Sequence, residues 1–162
     1  IVFTPKSLLS RPDAVSPHRE FLAPSRFREV LPDPDAPAPD QVTRAVFCTG
    51  KVYYDLAACR KERNIADTVI IRLEQIYPLA REQLTFLLAP YQKVRDFVWC
   101  QEEPSNMGAW GHLRNRLGHL FATSFRYAGR PPMACPAEGA KALHAAAQKR
   151  LLAAAFGPRA QS

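Results

Sequence analysis

The sequence predicts an α/β fold, a three-layer α/β/α sandwich in which helices cover both faces of a mostly parallel sheet. Short continuous apolar runs at 45–48, 68–73 and 96–101 are typical of strands buried on both faces. Helical patterns separate these runs, and strands that alternate with helices indicate βαβ units with parallel strands. A chain of 162 residues with 47% hydrophobic content is long enough for one domain with one core.

The chain divides into four parts. We expect a first strand and turn over 1–9, a proline-rich connection over 10–40, the βα units over 41–157 and a tail over 158–162. Seven of the fifteen prolines lie in the connection and exclude long helices or strands there, although 25–31 could form one helical turn or a strand. Because the chain opens inside an apolar run without a methionine, we expect it to be a piece of a longer protein.

Four helices and a further strand complete the pattern. The helices are predicted over 51–64, 81–89, 108–120 and 138–155, and the strand over 124–127. Their apolar periodicity assigns an inner and an outer face. The first helix should face the core with Val52, Tyr53, Leu56 and Ala57, and solvent with Arg60, Lys61 and Arg63. The last helix should bury a stripe of Leu143, Ala147, Leu151 and Ala154.

Composition excludes several classes of protein. The net charge of +7 is spread along the chain, so it indicates a basic surface rather than a nucleic-acid site. Four cysteines without a Cys-x-x-Cys pair favour a reducing compartment over disulfides or zinc. No apolar run has the length of a membrane span. The four histidines have no nucleophile or third metal ligand in a recognisable pattern.

The glycine turn at 48–51 resembles a phosphate loop only superficially. Ala45 stands where the first glycine of a P-loop belongs, and Val52 replaces its metal-binding hydroxyl. We therefore expect a tight strand-to-helix turn in which Thr49 caps the following helix.

Polar side chains follow the predicted strands, at the edge where open α/β sheets place ligands and partners. Glu102 and Glu103 are adjacent carboxylates, whose mutual repulsion is costly. We therefore expect basic groups or backbone amides to bind both of them, with Asn106 bracing the turn. This set could form a network within the domain or a site for a ligand or partner. Its members are Lys51, Arg72, Glu74, Glu102, Glu103 and Asn106.

Several words of the sequence resemble the E1 component of 2-oxoglutarate dehydrogenase near its C-terminus. They occur in the family's order and cover nearly the whole chain. The words are FTPKSLL at 3–9, CTGKVYYDL at 48–56, IRLEQIYP at 71–78, QEEPxNxGxW at 101–110, YAGRP at 127–131 and AxPAxG at 134–139.

The resemblance implies a fold similar to the transketolase C-terminal domain, with a five-stranded mixed sheet whose first strand is antiparallel to the others. The whole enzyme would decarboxylate 2-oxoglutarate on thiamine diphosphate and Mg²⁺ and succinylate the lipoyl group of E2. This chain lacks the Gly-Asp-Gly…Asn cofactor motif, so the resemblance implies a non-catalytic last domain that supports the active-site architecture and the E1 homodimer.

The implied partners are the upstream domains of the same chain, a second E1, E2 and E3. The implied location is the cytoplasm of a bacterium or the mitochondrial matrix. Two alternatives stay open. Met107 and the Pro131–Pro132 pair also resemble the E1 that acts on 2-oxoadipate, and the chain could instead be an independent ligand-binding or interaction module.

Some members of the family bind an anionic effector, a CoA thioester or AMP, where this domain meets its neighbour. The matching positions in this sequence are Ser25, Arg26, Phe27, Arg28 and Arg72. Arginines and a hydroxyl suit phosphate groups, and an aromatic ring suits adenine. The alternative is that the arginines at 26 and 28 are ordinary solvated charges.

Overall fold

A computed structural model describes residues 5–158 and contains one mixed sheet of five strands. The strands are β1 (Val30–Leu31), β2 (Arg44–Cys48), β3 (Thr68–Leu73), β4 (Asp96–Pro104) and β5 (Arg126–Arg130). Their order across the sheet is β1-β3-β2-β4-β5, in which β1 is antiparallel to β3 and every other pair is parallel. The predicted α/β sandwich with a mostly parallel sheet is confirmed.

Four α-helices cover the two faces of the sheet. They are α1 (Val52–Glu62), α2 (Arg81–Leu88), α3 (Trp110–Phe121) and α4 (Lys141–Phe156). The strands alternate their side chains between two apolar cores, because successive residues of a strand point to opposite faces. One core includes Phe47 and Trp99 with residues of α2 and α3, and the other includes Ile70 and Val98 with residues of α1 and α4.

The first described strand lies later in the chain than expected. Residues 1–4 lie outside the described range, and Lys6–Ser10 forms a 3-10 helix. The antiparallel strand is Val30–Leu31, within the segment for which a helical turn or a strand was left open. It consists of only two residues, so it carries no periodicity that sequence patterns could detect. The predicted limits of the four parts of the chain stay predictions.

Two expectations about helix faces are wrong. Arg60 is buried, because it forms an ion pair with buried Asp33 and also donates to the carbonyl of Thr68, 3.2 Å away. Leu143 is 60% exposed, since the buried stripe of α4 runs from Ala147 through Leu151 to Ala155 and does not extend back to the first turn.

Thr49 does not cap α1. Gly50 has a φ of +70° and turns the chain, so that α1 begins at Val52 with Lys51 at its N-cap position. A capping side chain must stand immediately before the first helical residue, and Thr49 lies too far upstream.

The ion pair between Arg60 and Asp33 holds the proline-rich connection against the sheet. Asp33 accepts hydrogen bonds from Arg60 Nη2 at 2.9 Å and from the backbone N–H of Ile70 at 2.8 Å. Just before it, Val30 and Leu31 pair with Leu73 and Arg72 of β3. The Asp33 carboxylate thus supplies the acceptor for an edge amide of β3 beyond the end of β1.

Two arginines fix the C-terminal end of α4 to the first residues of β2 and β5. Arg44 donates to the carbonyls of Phe156 and Gly157, both at 2.8 Å, and Arg126 donates to that of Ala154 at 2.5 Å. These carbonyls have no partner within the helix. Both arginines also pair with Asp96, at 2.6 Å and 3.1 Å. Burial alone would raise the pKa of Asp96, but Arg126 and Arg44 lower it below its usual value.

Replacing Asp33 should strongly destabilise the fold. Asp33→Ala leaves the buried Arg60 without its counter-ion, which we expect to lower the free energy of unfolding by about 3–5 kcal/mol. Urea unfolding measures the change. Asp35→Ala is the matched control, since Asp35 is exposed and its loss should change stability by no more than about 0.5 kcal/mol. Equal effects of the two substitutions would contradict a structural role for the pair.

Asp96 should make stability depend on pH in the acid range. Because its pKa is lowered in the folded state, its contribution is fully present above the unfolded pKa of about 3.9 and is lost as pH falls through the folded value. Urea titrations from pH 7 to pH 2.5 should show a shallower acid loss in Asp96→Asn than in the wild type. Asp40→Asn, at an exposed position, should keep the wild-type slope; the claim fails if Asp96→Asn keeps it too.

Candidate anion-binding site

A cavity of about 320 Å³ lies at the carboxyl edge of the sheet, beside the ends of β2 and β3. The proline-rich connection forms one wall, and the start of α1 forms another. The lining residues are Leu8, Phe27, Arg28, Leu31, Gly50, Tyr54, Arg72 and Glu74. Three of the five residues predicted for an anion site therefore line one cavity.

Arg72 is the most fixed cation of this cavity. It lies on β3, where its register with Leu31 of β1 and Cys48 of β2 sets its backbone position. Its guanidinium carbon lies 4.4 Å from the ring centroid of Tyr53 and 5.8 Å from that of Tyr54. Stacking on aromatic faces leaves the edge of a guanidinium free to bind oxygen atoms.

Phe27 and Arg28 reach the cavity because the connection folds back along β3. The carbonyl of Glu29 accepts hydrogen bonds from the backbone N–H groups of Glu74, at 2.9 Å, and Gln75, at 3.0 Å. These bonds place the two preceding residues over the carboxyl edge. Phe27 is 62% exposed. Arg28 forms an ion pair with Glu20, with 3.3 Å between Arg28 Nη2 and Glu20 Oε2.

Ser25 and Arg26 line a second, adjoining cavity of about 550 Å³ instead. Its other lining residues are Arg19, Glu20, Pro24 and Arg28, so Arg28 belongs to both cavities. The hydroxyl of Ser25 donates to the carbonyl of Arg19 at 3.1 Å, which closes the loop on itself. The structure thus divides the five predicted residues between two neighbouring spaces.

The two glutamates after β4 have different environments. Glu102 forms an ion pair with Lys51, at the end of the neighbouring strand β2. Glu103 is exposed, and the contacts described for it involve its backbone carbonyl, which lies 2.9 Å from the Tyr127 hydroxyl. The expectation that donors hold both carboxylates is wrong for Glu103, because β4 continues to Pro104 and the alternation of a strand points neighbours in opposite directions.

Asn106 braces two loops against each other. Its side-chain amide donates to the carbonyl of Met133 at 3.0 Å and accepts from the Met133 N–H at 3.0 Å. The turn after β4 is thereby tied to the loop after β5. These two hydrogen bonds and the Lys51–Glu102 ion pair indicate that Lys51, Glu102 and Asn106 belong to a polar network within the domain rather than to a ligand site.

The side chain of Gln101 holds this loop together through hydrogen bonds, although Gln101 was not among the predicted site residues. Its side-chain oxygen accepts from Trp99 Nε1 at 2.8 Å and from the Trp110 N–H at 3.0 Å, and its nitrogen donates to the Met107 carbonyl at 2.8 Å. Gly108 lies against it with a φ of +64°, where a Cβ would come within 3.0 Å of the amide. The available signal was a glutamine placed directly after the apolar residues of a buried strand.

Arg130 was missed as well. It is buried, donates to Glu138 Oε1 at 2.6 Å and to the Glu102 carbonyl, and lies 3.1 Å from His144 Nδ1. Burial would raise the pKa of Glu138, but the hydrogen bond and charge of Arg130 lower it below its usual value. These contacts fasten the start of α4 to β4 and β5.

Cys48 and Cys100 belong to the apolar core on one face of the sheet. Burial raises the pKa of the Cys48 and Cys100 thiols, which keeps them neutral and apolar. Within residues 5–158, no group of three His, Cys, Asp or Glu side chains could hold a metal ion. The helices of this same part of the chain are all too short or too polar to cross a membrane.

Comparison with solved structures supports the fold. The chain resembles a split-gene transketolase described as an inactive beta4 tetramer, with a TM-score of 0.56, 13% sequence identity, and coverage of 80% of this chain and 42% of that one. At this identity the likeness concerns the fold alone. The transketolase C-terminal type of fold that the sequence implied is confirmed.

Comparison of sequences identifies the family. Residues 15–156 match the family described as 2-oxoglutarate dehydrogenase C-terminal. The chain is 44% identical to the 2-oxoglutarate dehydrogenase E1 component of Cupriavidus necator, over 96% of this chain and 16% of that protein. It is 44% identical to the E1 component of Azotobacter vinelandii, over 96% and 17%, and 41% identical to the mitochondrial 2-oxoglutarate dehydrogenase of Caenorhabditis elegans, over 97% and 16%. The chain belongs to the family of 2-oxoglutarate dehydrogenase C-terminal domains.

Proposed function

We propose that this chain is the non-catalytic C-terminal domain of an E1 oxidoreductase that decarboxylates 2-oxoglutarate and succinylates the lipoyl group of E2. The observation that carries the proposal is the match along 96% of this chain to proteins of that name, of which it spans only 16–17%. The same domain of a 2-oxoadipate dehydrogenase is the alternative, since substrate contacts would belong to the rest of the enzyme.

In this proposal thiamine diphosphate and Mg²⁺ bind to upstream domains. The support for this placement is that the Gly-Asp-Gly…Asn motif, which holds the cofactor in the family, does not occur in this sequence. The domain's own contribution is architectural: it supports the upstream domains and the E1 homodimer, within a complex that also contains E2 and E3. Bacterial cytoplasm or the mitochondrial matrix is the proposed location.

Exposed apolar side chains support an architectural role. Leu9, Val15, Phe21 and Leu22 are 50–79% exposed and lie close together in the sequence, just before the proline-rich connection and in its first half. Large apolar side chains that remain exposed to this extent favour a contact with another protein surface. Upstream domains of the same chain are its proposed cover.

The cavity at the carboxyl edge supports the binding of an anionic effector. Arg72 and Arg28 provide two positive charges, and Phe27 adds an exposed aromatic face. The adjoining cavity with Ser25 and Arg26 adds further basic side chains, which suit a ligand with more than one phosphate, such as a CoA thioester. AMP would need only the first cavity.

The cofactor assignment has a direct test. Thiamine diphosphate with Mg²⁺ should leave the thermal midpoint of the 162-residue chain unchanged, because a ligand stabilises only a protein that binds it. Mg²⁺ alone is the control for non-specific ion effects. A saturable rise of the midpoint that requires thiamine diphosphate would contradict the proposed division of labour.

The effector assignment is tested by titration with AMP and with acetyl-CoA. Arg72→Ala should weaken binding at least about tenfold, because a charge-assisted hydrogen bond contributes roughly 1.5–3 kcal/mol. Arg114→Ala is the matched control, since Arg114 is an exposed arginine on α3 and does not line the cavity. Isothermal calorimetry gives both affinities. Equal binding by the two variants, or no binding by the wild type, would overturn the effector assignment.

A further inference from the structure

We infer that Glu74 is a built-in competitor for the anion site: its carboxylate occupies Arg72 in the ligand-free chain and lowers the affinity for an incoming anion. The inference rests on the proposed anion-binding function of the cavity and assigns a residue that sets its affinity. Glu74 lines the same cavity as Arg72 and Arg28.

The contact between Arg72 and Glu74 is close but poorly directed. Arg72 Nε lies 3.0 Å from Glu74 Oε1, yet this buried nitrogen has no hydrogen-bond partner among the described residues, so the N–H does not point at the oxygen. A buried donor without a hydrogen bond costs free energy. A ligand oxygen aligned with the Arg72 Nε–H would therefore form the hydrogen bond that the Glu74 carboxylate does not form.

Arg72 is held in place while Glu74 can leave. The guanidinium stacks on Tyr53 and its Nη1 lies 3.5 Å from the Tyr54 hydroxyl, so its position depends on α1 as well as on Glu74. The Glu74 side chain is 33% exposed, and its backbone N–H is fixed by Glu29. A rotation of the side chain alone moves the carboxylate into solvent, without a change in the strand.

The charges of the lining residues favour such an exchange. Two arginines and one glutamate give the cavity a net charge of +1. An anion that enters while Glu74 stays in place is repelled by its carboxylate. An anion that displaces Glu74 must replace the ion pair between Glu74 and Arg72. Both routes make Glu74 unfavourable for binding, and removing its charge leaves Arg72 without a competing carboxylate.

The test compares the affinity for AMP in the wild-type chain, Glu74→Gln and Glu103→Gln. Glu103→Gln removes the same charge at an exposed glutamate outside the cavity, and it controls for net charge. We expect Glu74→Gln to bind AMP about tenfold more tightly than the wild type, with Glu103→Gln unchanged. Equal thermal midpoints of the three proteins show that the fold is intact.

Each outcome separates this inference from the effector assignment. If the wild type binds AMP, Arg72→Ala weakens binding and Glu74→Gln does not tighten it, the competitor role is wrong and the site stands. If both glutamine variants tighten binding equally, the effect is one of net charge and the inference is also wrong. If neither the wild type nor Glu74→Gln binds AMP, or if Arg72→Ala binds as the wild type does, both fall. Binding by Glu74→Gln alone would support the competitor role of Glu74, while it would overturn the assignment of an effector to the wild-type chain.

Discussion

The buried ion pair between Asp33 and Arg60 is the constraint on which the functional edge of this domain depends. It joins a proline-rich segment, whose pairing with the sheet is limited to the two residues of β1, to α1 and to β3. A buried charge of either sign would be costly alone, so each residue requires the other. Because Asp33 is fixed, the residues that precede it run antiparallel to β3. This course brings Phe27 and Arg28 to the cavity that Arg72 lines.

Sequence patterns could predict the sheet because its central strands carry local information. Uninterrupted apolar runs coincide with β2 and β3, since strands covered on both faces have no polar side to show. The role of Arg60 could not be predicted in this way, because its partner lies 27 residues away in a segment without periodicity. The predicted β4 ended too early, because adjacent glutamates are typical of a loop. In the structure the strand continues to Pro104, and the side-chain amide of Gln101 donates to the Pro104 carbonyl at the end of the strand.

The anion site shows a different limit. Its residues were suggested by resemblance to a family, and no periodicity or spacing in this chain connects position 27 with position 72. The structure brings Phe27, Arg28 and Arg72 to one cavity and gives Ser25 and Arg26 to the next. It also shows that a carboxylate accompanies the central arginine. Polar residues at the ends of parallel strands are a fair guide to where a site lies, but they do not say which charges pair with one another.

The central claim is that Asp33 locks the connection along β3, and amide hydrogen exchange tests it most directly. The N–H groups of Glu74 and Gln75 are bonded to Glu29, so their protection reports on the fold-back itself. In the wild type we expect slow exchange at both amides. In Asp33→Asn we expect fast exchange at both, while amides of β2 in the centre of the sheet stay protected. Fast exchange in the wild type, or unchanged protection in the variant, would show that Asp33 does not hold the connection along β3.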